Sequence, residues 1–228
     1  MLGLSHEDWG AVLLTLELAG LTTLILLIIA TPLAWWLASG KGAGRIAVQA
    51  IVALPLVLPP TVLGFYMLIL LGPKGYVGST LESWGLTHLA FTFEGLVISS
   101  VIYSMPFAVQ PLQETFSHLG RRPLEVAAAM GANALDRFVT VILPLCKGGF
   151  AIAATLAFAH TIGEFGVILM VGGNIPGETH VLSTVIYDYA ESMNYAAAHR
   201  LSLLLLVFAF AVLFTVYAVN RRFEAVKL

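Results

Sequence analysis

The chain has 228 residues, of which 59% are hydrophobic and 11% charged, and its formal net charge is −2. Soluble domains of this size carry about 25% charged residues, so an ordinary soluble globular protein is excluded and a bilayer is the expected environment; the mean hydropathy of +0.92 agrees. No basic patch with interleaved aromatics is present, so no nucleic-acid partner is expected, and the one cysteine, Cys146, excludes an internal disulfide and lacks companions for a metal site.

The opening MLGLSHEDWG is acidic and lacks the basic region that precedes the apolar core of a signal peptide, so the first span is expected to be retained. Uncharged runs occur at Leu18 to Ser39, Ile46 to Pro73, Gly95 to Gln113 and Leu201 to Asn220. They match the roughly 20 apolar residues that a bilayer-crossing helix needs. The first span is read to begin near Ala11, with Glu17 close to its outer edge, and a further run, Gly148 to Gly177, is interrupted only by Glu164. Ile175 to His199 reads as a short amphipathic or re-entrant helix and not as a sixth span, because Asp188 and Glu191 are expensive in lipid. The expected fold class is therefore all-α: a polytopic membrane protein of about five transmembrane helices. Residues 1–228 form a single domain in this reading, with no internal repeat or linker.

Lys41 and Arg45 fall between spans one and two, Arg121, Arg122 and Arg137 between three and four, and Arg221, Arg222 and Lys227 after the last. The opposite side receives Glu7, Asp8, Glu82, Glu178, Asp188 and Glu191. Excess Lys and Arg mark the cytoplasmic side, which puts the N-terminus outside and the C-terminus inside. Prolines punctuate the spans: Pro32 in the first, Pro55, Pro59 and Pro60 in the second, Pro106 and Pro111 in the third. Each removes a backbone donor and bends or breaks its helix, tolerable where a neighbour or a water-lined cavity satisfies the freed carbonyl. The break in LPLVLPPTVLG is a candidate lining for a transport path.

One stretch, RRPLEVAAAMGANALDRFVTVILP from Arg121 to Pro144, looks soluble. Read as one helix, it aligns Leu124, Ala128, Gly131, Leu135 and Phe138 in an apolar stripe. Pro123 suits a first turn, Glu125 is favourable near a helix N-terminus, and Pro144 starts the return into the membrane. Ala127, Ala128, Ala129, Gly131, Ala132 and Ala134 leave a backbone that another surface can approach closely. A glycine inside an exposed helix costs about 1 kcal/mol relative to alanine, so some contact should compensate. Either the helix packs on its own bundle, or it docks into a groove of a cytoplasmic partner.

Glu125, Val126 and Ala127, then Gly131, then Val141, Leu143 and Pro144 resemble the EAA loop of permease subunits of binding-protein-dependent ABC importers. That loop has the form E-A-A, three residues, G, nine residues, I, one residue, L-P; here Val126 replaces the usual alanine and Val141 the usual isoleucine. The resemblance implies a type I importer permease with a cytoplasmic coupling helix at about 121–144, which enters a cleft of an ATP-binding subunit. It carries the coupling role to Glu125, Ala127, Ala128, Gly131, Leu135, Phe138 and Pro144. The chain itself has no phosphate-binding loop, since SGKGAGR at Ser39 and GPKGYVGST at Gly72 do not fit G-x-x-x-x-G-K-[ST]. No nucleophile and base are paired in a soluble pocket either. No catalytic site and no cofactor are expected in this chain, and ATP and Mg are assigned to the partner ATPase subunit.

LPLVLPPTVLGFYMLILLGPKGYVG from Leu54, TIGEFGVILMVGGNIPGET from Thr161 and the EAA loop together resemble the permeases of bacterial molybdate importers, over essentially the whole chain. Sulfate and tungstate permeases are close relatives. The resemblance implies a homodimer in the bacterial inner membrane, with two ATP-binding subunits, a periplasmic molybdate-binding protein and alternating access for the oxyanion. Path or gate candidates are Pro59, Pro60, Thr61, Gly64, Gly163, Glu164, Phe165 and Gly166. Glu164 is read as packing or gate-positioning and not as an anion contact, since a fixed negative charge repels a dianion and its burial needs protonation, pairing or several hydrogen bonds. Gly163 and Gly166 would permit close helix approach around it. VGGNIPGET is an external loop by its turn chemistry, and Asn174 and Thr179 are candidates for contact with the binding protein. The rival readings are an ATP-independent secondary transporter or channel, for which Glu17 and Glu164 lack an evident basic partner, and a structural membrane subunit.

Overall fold

A serine-capped helix opens the fold. In this computed structural model, which describes residues 4–224 and side chains through Ala218, Ser5 Oγ accepts from the Asp8 amide and Asp8 Oδ2 accepts from the Ser5 amide. This reciprocal capping box satisfies two donors at the start of α1, His6–Ala38. Lys227 and the side chains of Arg221 and Arg222 lie outside the described residues. α1 is apolar all round, yet its buried residues, among them Ala11, Thr15, Leu18, Leu26, Ala30, Ala34 and Leu37, fall at helical spacing on one face. Small residues on that face let α1 pack closely against its neighbours. Pro32 leaves α1 continuous, and Glu17 is exposed on it.

The second apolar run is divided. α2, Ala43–Ala53, passes into a 3₁₀ turn at Leu54–Leu56, and α3, Pro60–Leu71, starts afresh. Pro60 disfavours helical geometry at the residue before it, and Pro59 accordingly has φ −55° and ψ 136°. α4, Tyr76–Ser83, leads to α5, Phe93–Leu119, which runs unbroken through Pro106 and Pro111. The expected proline breaks are thus confined to the second run, where α2 gives way to the 3₁₀ turn that holds Pro55 and the helix restarts at the Pro59–Pro60 pair.

The stretch expected as one helix is three short pieces: α6, Arg122–Ala129; α7, Ala134–Arg137; and α8, Leu143–Leu145, the last two joined by a π-helical turn at Phe138–Ile142. α6 ends in a Schellman cap, in which the Ala132 amide donates to the Ala127 carbonyl and the Gly131 amide to that of Ala128, both at 3.0 Å. Gly131 has φ +90°, so it is a turn residue and not a helix interior. Asn133 then caps α7, its Oδ1 accepting from the Asp136 amide at 2.9 Å. The stripe is split as a result: Leu124 and Phe138 turn toward the core, while Ala128, Gly131 and Leu135 are exposed.

α9, Lys147–Ile162, re-enters the bundle at 76° to the Ala134–Leu145 segment. A break at Gly163 to Phe165 precedes α10, Gly166–Gly172. α11, Leu182–Glu191, is short, as read from the sequence, and α12, Tyr195–Glu224, is the last element described. Among the described residues four helices are long and apolar enough to cross a membrane, and five spans result if the bent segment ending in α9 counts as one. Two contacts fix the ends of the bundle. Arg121 Nη2 donates to the Ser39 carbonyl at 3.2 Å at one end, and Tyr189 Oη donates to Asp8 Oδ1 at 3.0 Å at the other.

The core lies where α1, α5 and α9 meet, with α10 seated between α3 and α5. Gly64 makes the α3–α10 approach possible, because a Cβ there would lie 2.8 Å from Met170 Cβ and 3.1 Å from Val167 Cα. Gly64→Val should therefore cost about 1–3 kcal/mol through overpacking. A lowered thermal midpoint of the detergent-purified protein would report it, and an unchanged midpoint would show that α3 and α10 separate freely.

Candidate functional site

The two segments singled out around Pro60 and Glu164, a hundred residues apart in sequence, line one cavity of about 540 Å³. Pro60 and Thr61 come from the first turn of α3, and Gly163, Glu164, Phe165 and Gly166 from the α9–α10 break. Pro59 stands just before α3 and is exposed, while Gly64 faces α10 one turn on. Gly166 is needed for the close approach, since a Cβ there would stand 3.0 Å from Pro60 Cβ. Gly163 is not: a Cβ at that position meets only carbonyl oxygens of its own turn, at 3.7 and 3.8 Å, which corrects the expectation that both glycines permit packing.

Glu164 is 3% exposed and fully partnered. Ser100 Oγ donates to its Oε2 and Ser104 Oγ to its Oε1, each at 2.6 Å. His160 Nδ1 lies 3.5 Å from Oε1 and 2.8 Å from Ser104 Oγ, and Thr161 Oγ1 is 3.1 Å from the same serine oxygen. The backbone carbonyl of Glu164, freed by the helix break, accepts from Ser183 Oγ of α11. A buried carboxylate is tolerated only when its oxygens are met in this way. The packing role read for Glu164 fits its burial, but the lack of a basic partner does not: His160 occupies that place. The His160 ring stacks on Phe107 with centroids 3.9 Å apart and leans on Tyr103 at 4.8 Å.

His160, Ser100, Ser104 and Tyr103 were not legible as site residues from composition, yet a signal existed. His160 and Glu164 are four apart near a helix end, and Ser100 and Ser104 are four apart on α5, so each pair shares a face.

At the far end of the bundle, Thr179 departs from expectation. It is fully buried, its hydroxyl donating to the Gly172 carbonyl and accepting from the Ile175 amide, so it staples the loop and reaches no partner. Asn174, at φ 58°, donates through Nδ2 to Asp188 Oδ2 at 2.7 Å and remains half-buried.

Most of the coupling candidates are exposed, and Phe138 packs against the core. Glu125, Ala128, Gly131, Leu135 and Pro144 are exposed, Ala127 and Phe138 half-buried. α6 has no buried residue, which disfavours the reading in which it packs on its own bundle. Val126, Met130 and Leu135 are 61, 83 and 70% exposed, apolar side chains that nothing among the described residues covers.

An all-helical bundle with broken spans, a cavity at the break and an uncovered apolar segment at one end defines the class: a polytopic permease. Residues 30–225 match the family described as binding-protein-dependent transport system inner membrane component, and the chain belongs to that family. It is 54% identical over 222 residues to the molybdenum transport system permease protein ModB of Azotobacter vinelandii, covering 97% of this chain and 98% of the relative. ModB of Escherichia coli K12 is 32% identical over 83% of this chain and 82% of its own length. The fold is that of ABC importer permeases: a chain of a bacterial ABC transporter that imports alginate superimposes with a TM-score of 0.76 at 23% identity, over 96% of this chain and 80% of that one. The family makes the chain a multi-pass inner-membrane protein whose role is transport and not catalysis.

Glu164→Ala leaves two buried serine hydroxyls without their acceptor, and about 1–3 kcal/mol of stability should be lost. Glu164→Gln, which keeps one acceptor oxygen, should lose less. Equal thermal midpoints for wild type and Glu164→Ala would mean that the carboxylate is not the acceptor that holds α5 to the break.

Proposed function

We propose that this chain is the permease subunit of an ATP-driven molybdate importer and forms the translocation path as a homodimer. The observation that carries the reading is the 54% identity to a molybdenum transport permease over nearly the whole of both chains. The exposed segment from Glu125 to Pro144 couples the path to two cytoplasmic ATP-binding subunits, which hold ATP and Mg, and a periplasmic molybdate-binding protein delivers the anion. The N-terminus is periplasmic and the C-terminus cytoplasmic. In support, Arg121 and the Ser39 loop meet at one end of the bundle, where Lys41, Arg45, Arg122 and Arg137 also lie in the chain.

In this mechanism, closure of the ATPase pair draws the two coupling segments together and opens the path toward the docked, loaded binding protein. After hydrolysis the segments part and the path reopens inward. This chain contributes the docking surface and the route. Its Schellman cap ends α6 at Gly131 and starts the turn into α7.

Reconstituted proteoliposomes containing this chain, its ATPase and its binding protein should take up radiolabelled molybdate only when all three components and ATP are present. Uptake without ATP would overturn the importer reading, and stronger competition by sulfate than by unlabelled molybdate would overturn the choice of anion. Gly131→Val forces a β-branched residue into a left-handed turn at a cost of about 1–2 kcal/mol. Uptake and ATP hydrolysis stimulated by the binding protein should fall together in that variant, and wild-type rates of both would remove the coupling role of the turn.

A further inference from the structure

We propose that His160 is an anion-contacting residue of the translocation path, positioned by Ser104 and Glu164, and that the site it makes takes a tetrahedral divalent oxyanion. The inference rests on the importer reading above and names the group that the permeating ion meets. A carboxylate beside an anion path is repulsive, and the geometry removes that objection. Both oxygens of Glu164 are turned to hydroxyls of α5 and its side chain has no exposed surface, whereas 20% of the His160 side chain is exposed. Of the two side chains, the imidazole is therefore the one with surface to offer the cavity that both residues line.

The hydrogen bonds fix how the ring is presented. Ser104 gives its one hydroxyl proton to Glu164, so toward His160 it can only accept, and Nδ1 is the protonated nitrogen of that contact. Among the described residues no hydrogen bond engages Nε2, on the far edge of the ring. A second proton on Nε2 makes the ring a cation with a donor directed away from Ser104. Around the ring stand the Glu164 oxygen 3.5 Å from Nδ1, Phe107 stacked against one face, and Tyr103. Glu164 and Tyr103 are the ionisable groups in contact with it. In that doubly protonated form the charges on His160 and Glu164 cancel, and the exposed member of the pair is the imidazole. Such a pair attracts a dianion without adding net charge to the path, so the ion is met and then released. The exposed Thr61 hydroxyl lines the same cavity as a second donor.

The test compares His160→Ala, His160→Phe and His160→Gln in the reconstituted assembly, with anion uptake and binding-protein-stimulated ATP hydrolysis measured for each. His160→Phe preserves the aromatic stack and so guards against a variant that simply fails to fold. Loss of a charge-assisted hydrogen bond to the passing anion should slow uptake at least about tenfold in His160→Ala and His160→Phe, with stimulated hydrolysis within about twofold of wild type. His160→Gln keeps an N–H donor and should recover part of the uptake. Ser104→Ala frees the ring and should lose uptake several-fold, again with hydrolysis retained. Wild-type uptake by His160→Phe would overturn the proposal. So would a proportional fall of uptake and hydrolysis together, which marks a structural role. Rates are read against wild type with whichever tetrahedral oxyanion it carries, so an error in the choice of molybdate is seen in the wild type and leaves this comparison standing.

Discussion

The hydrogen bonds from Ser100 and Ser104 to the Glu164 carboxylate hold together the α9–α10 break that borders the cavity. A carboxylate within a membrane bundle is costly unless its oxygens are met, and here every neighbouring element contributes. α5 supplies two hydroxyls, α9 supplies His160, and α11 reaches the freed backbone carbonyl through Ser183. The polar groups of an interrupted span need partners for the same reason, so the break and the buried acid are one structural solution. α10 then seats on α3 because Gly64 and Gly166 carry no side chains, and the cavity is the space left at the start of α3.

Why only some prolines interrupt their helices follows from what each removes. Pro32, Pro106 and Pro111 each take away one amide donor, and α1 and α5 continue through them. Pro59 and Pro60 take away two in succession, and Pro60 also pushes Pro59 into extended geometry, so the helix must end and restart. The apolar runs therefore revealed a bundle of four or five spans, although the second long apolar segment runs from Pro60 to Ser83 and not from Ile46 to Pro73, and the positions of proline alone did not reveal which spans were continuous. Pairing of prolines was the discriminating signal.

The coupling segment shows the same limit in another form. Helical periodicity placed Leu124, Ala128, Gly131, Leu135 and Phe138 on one face, but periodicity cannot register a change of helix. The local chemistry could: a glycine followed two residues on by asparagine, with aspartate three residues after that, is a helix stop and a capping box in sequence. Gly131 carries a constraint of backbone conformation where close packing was expected of it. Thr179 misled for a related reason, since a threonine in a glycine-rich loop looks solvent-facing until the loop closes over its hydroxyl. His160 escaped notice because its partner Ser104 lies 56 residues away, a distance that only the fold closes.

α9 runs unbroken from the 76° bend after the candidate coupling pieces to the polar cluster at the break. Its first residue follows the coupling pieces α7 and α8, and its last turn carries His160. Sixteen residues of helix span about 24 Å, so a displacement at the coupling end is delivered along the axis to the polar cluster. Gly149 keeps α9 against Thr115 of α5 near the start, where any larger side chain would collide. With that end pressed on α5, the compliant point is the α9–α10 break, held to α5 by the Glu164 hydrogen bonds and to α11 by Ser183. In the importer function proposed above, a displacement at the coupling end would act on the break that His160 and Glu164 border.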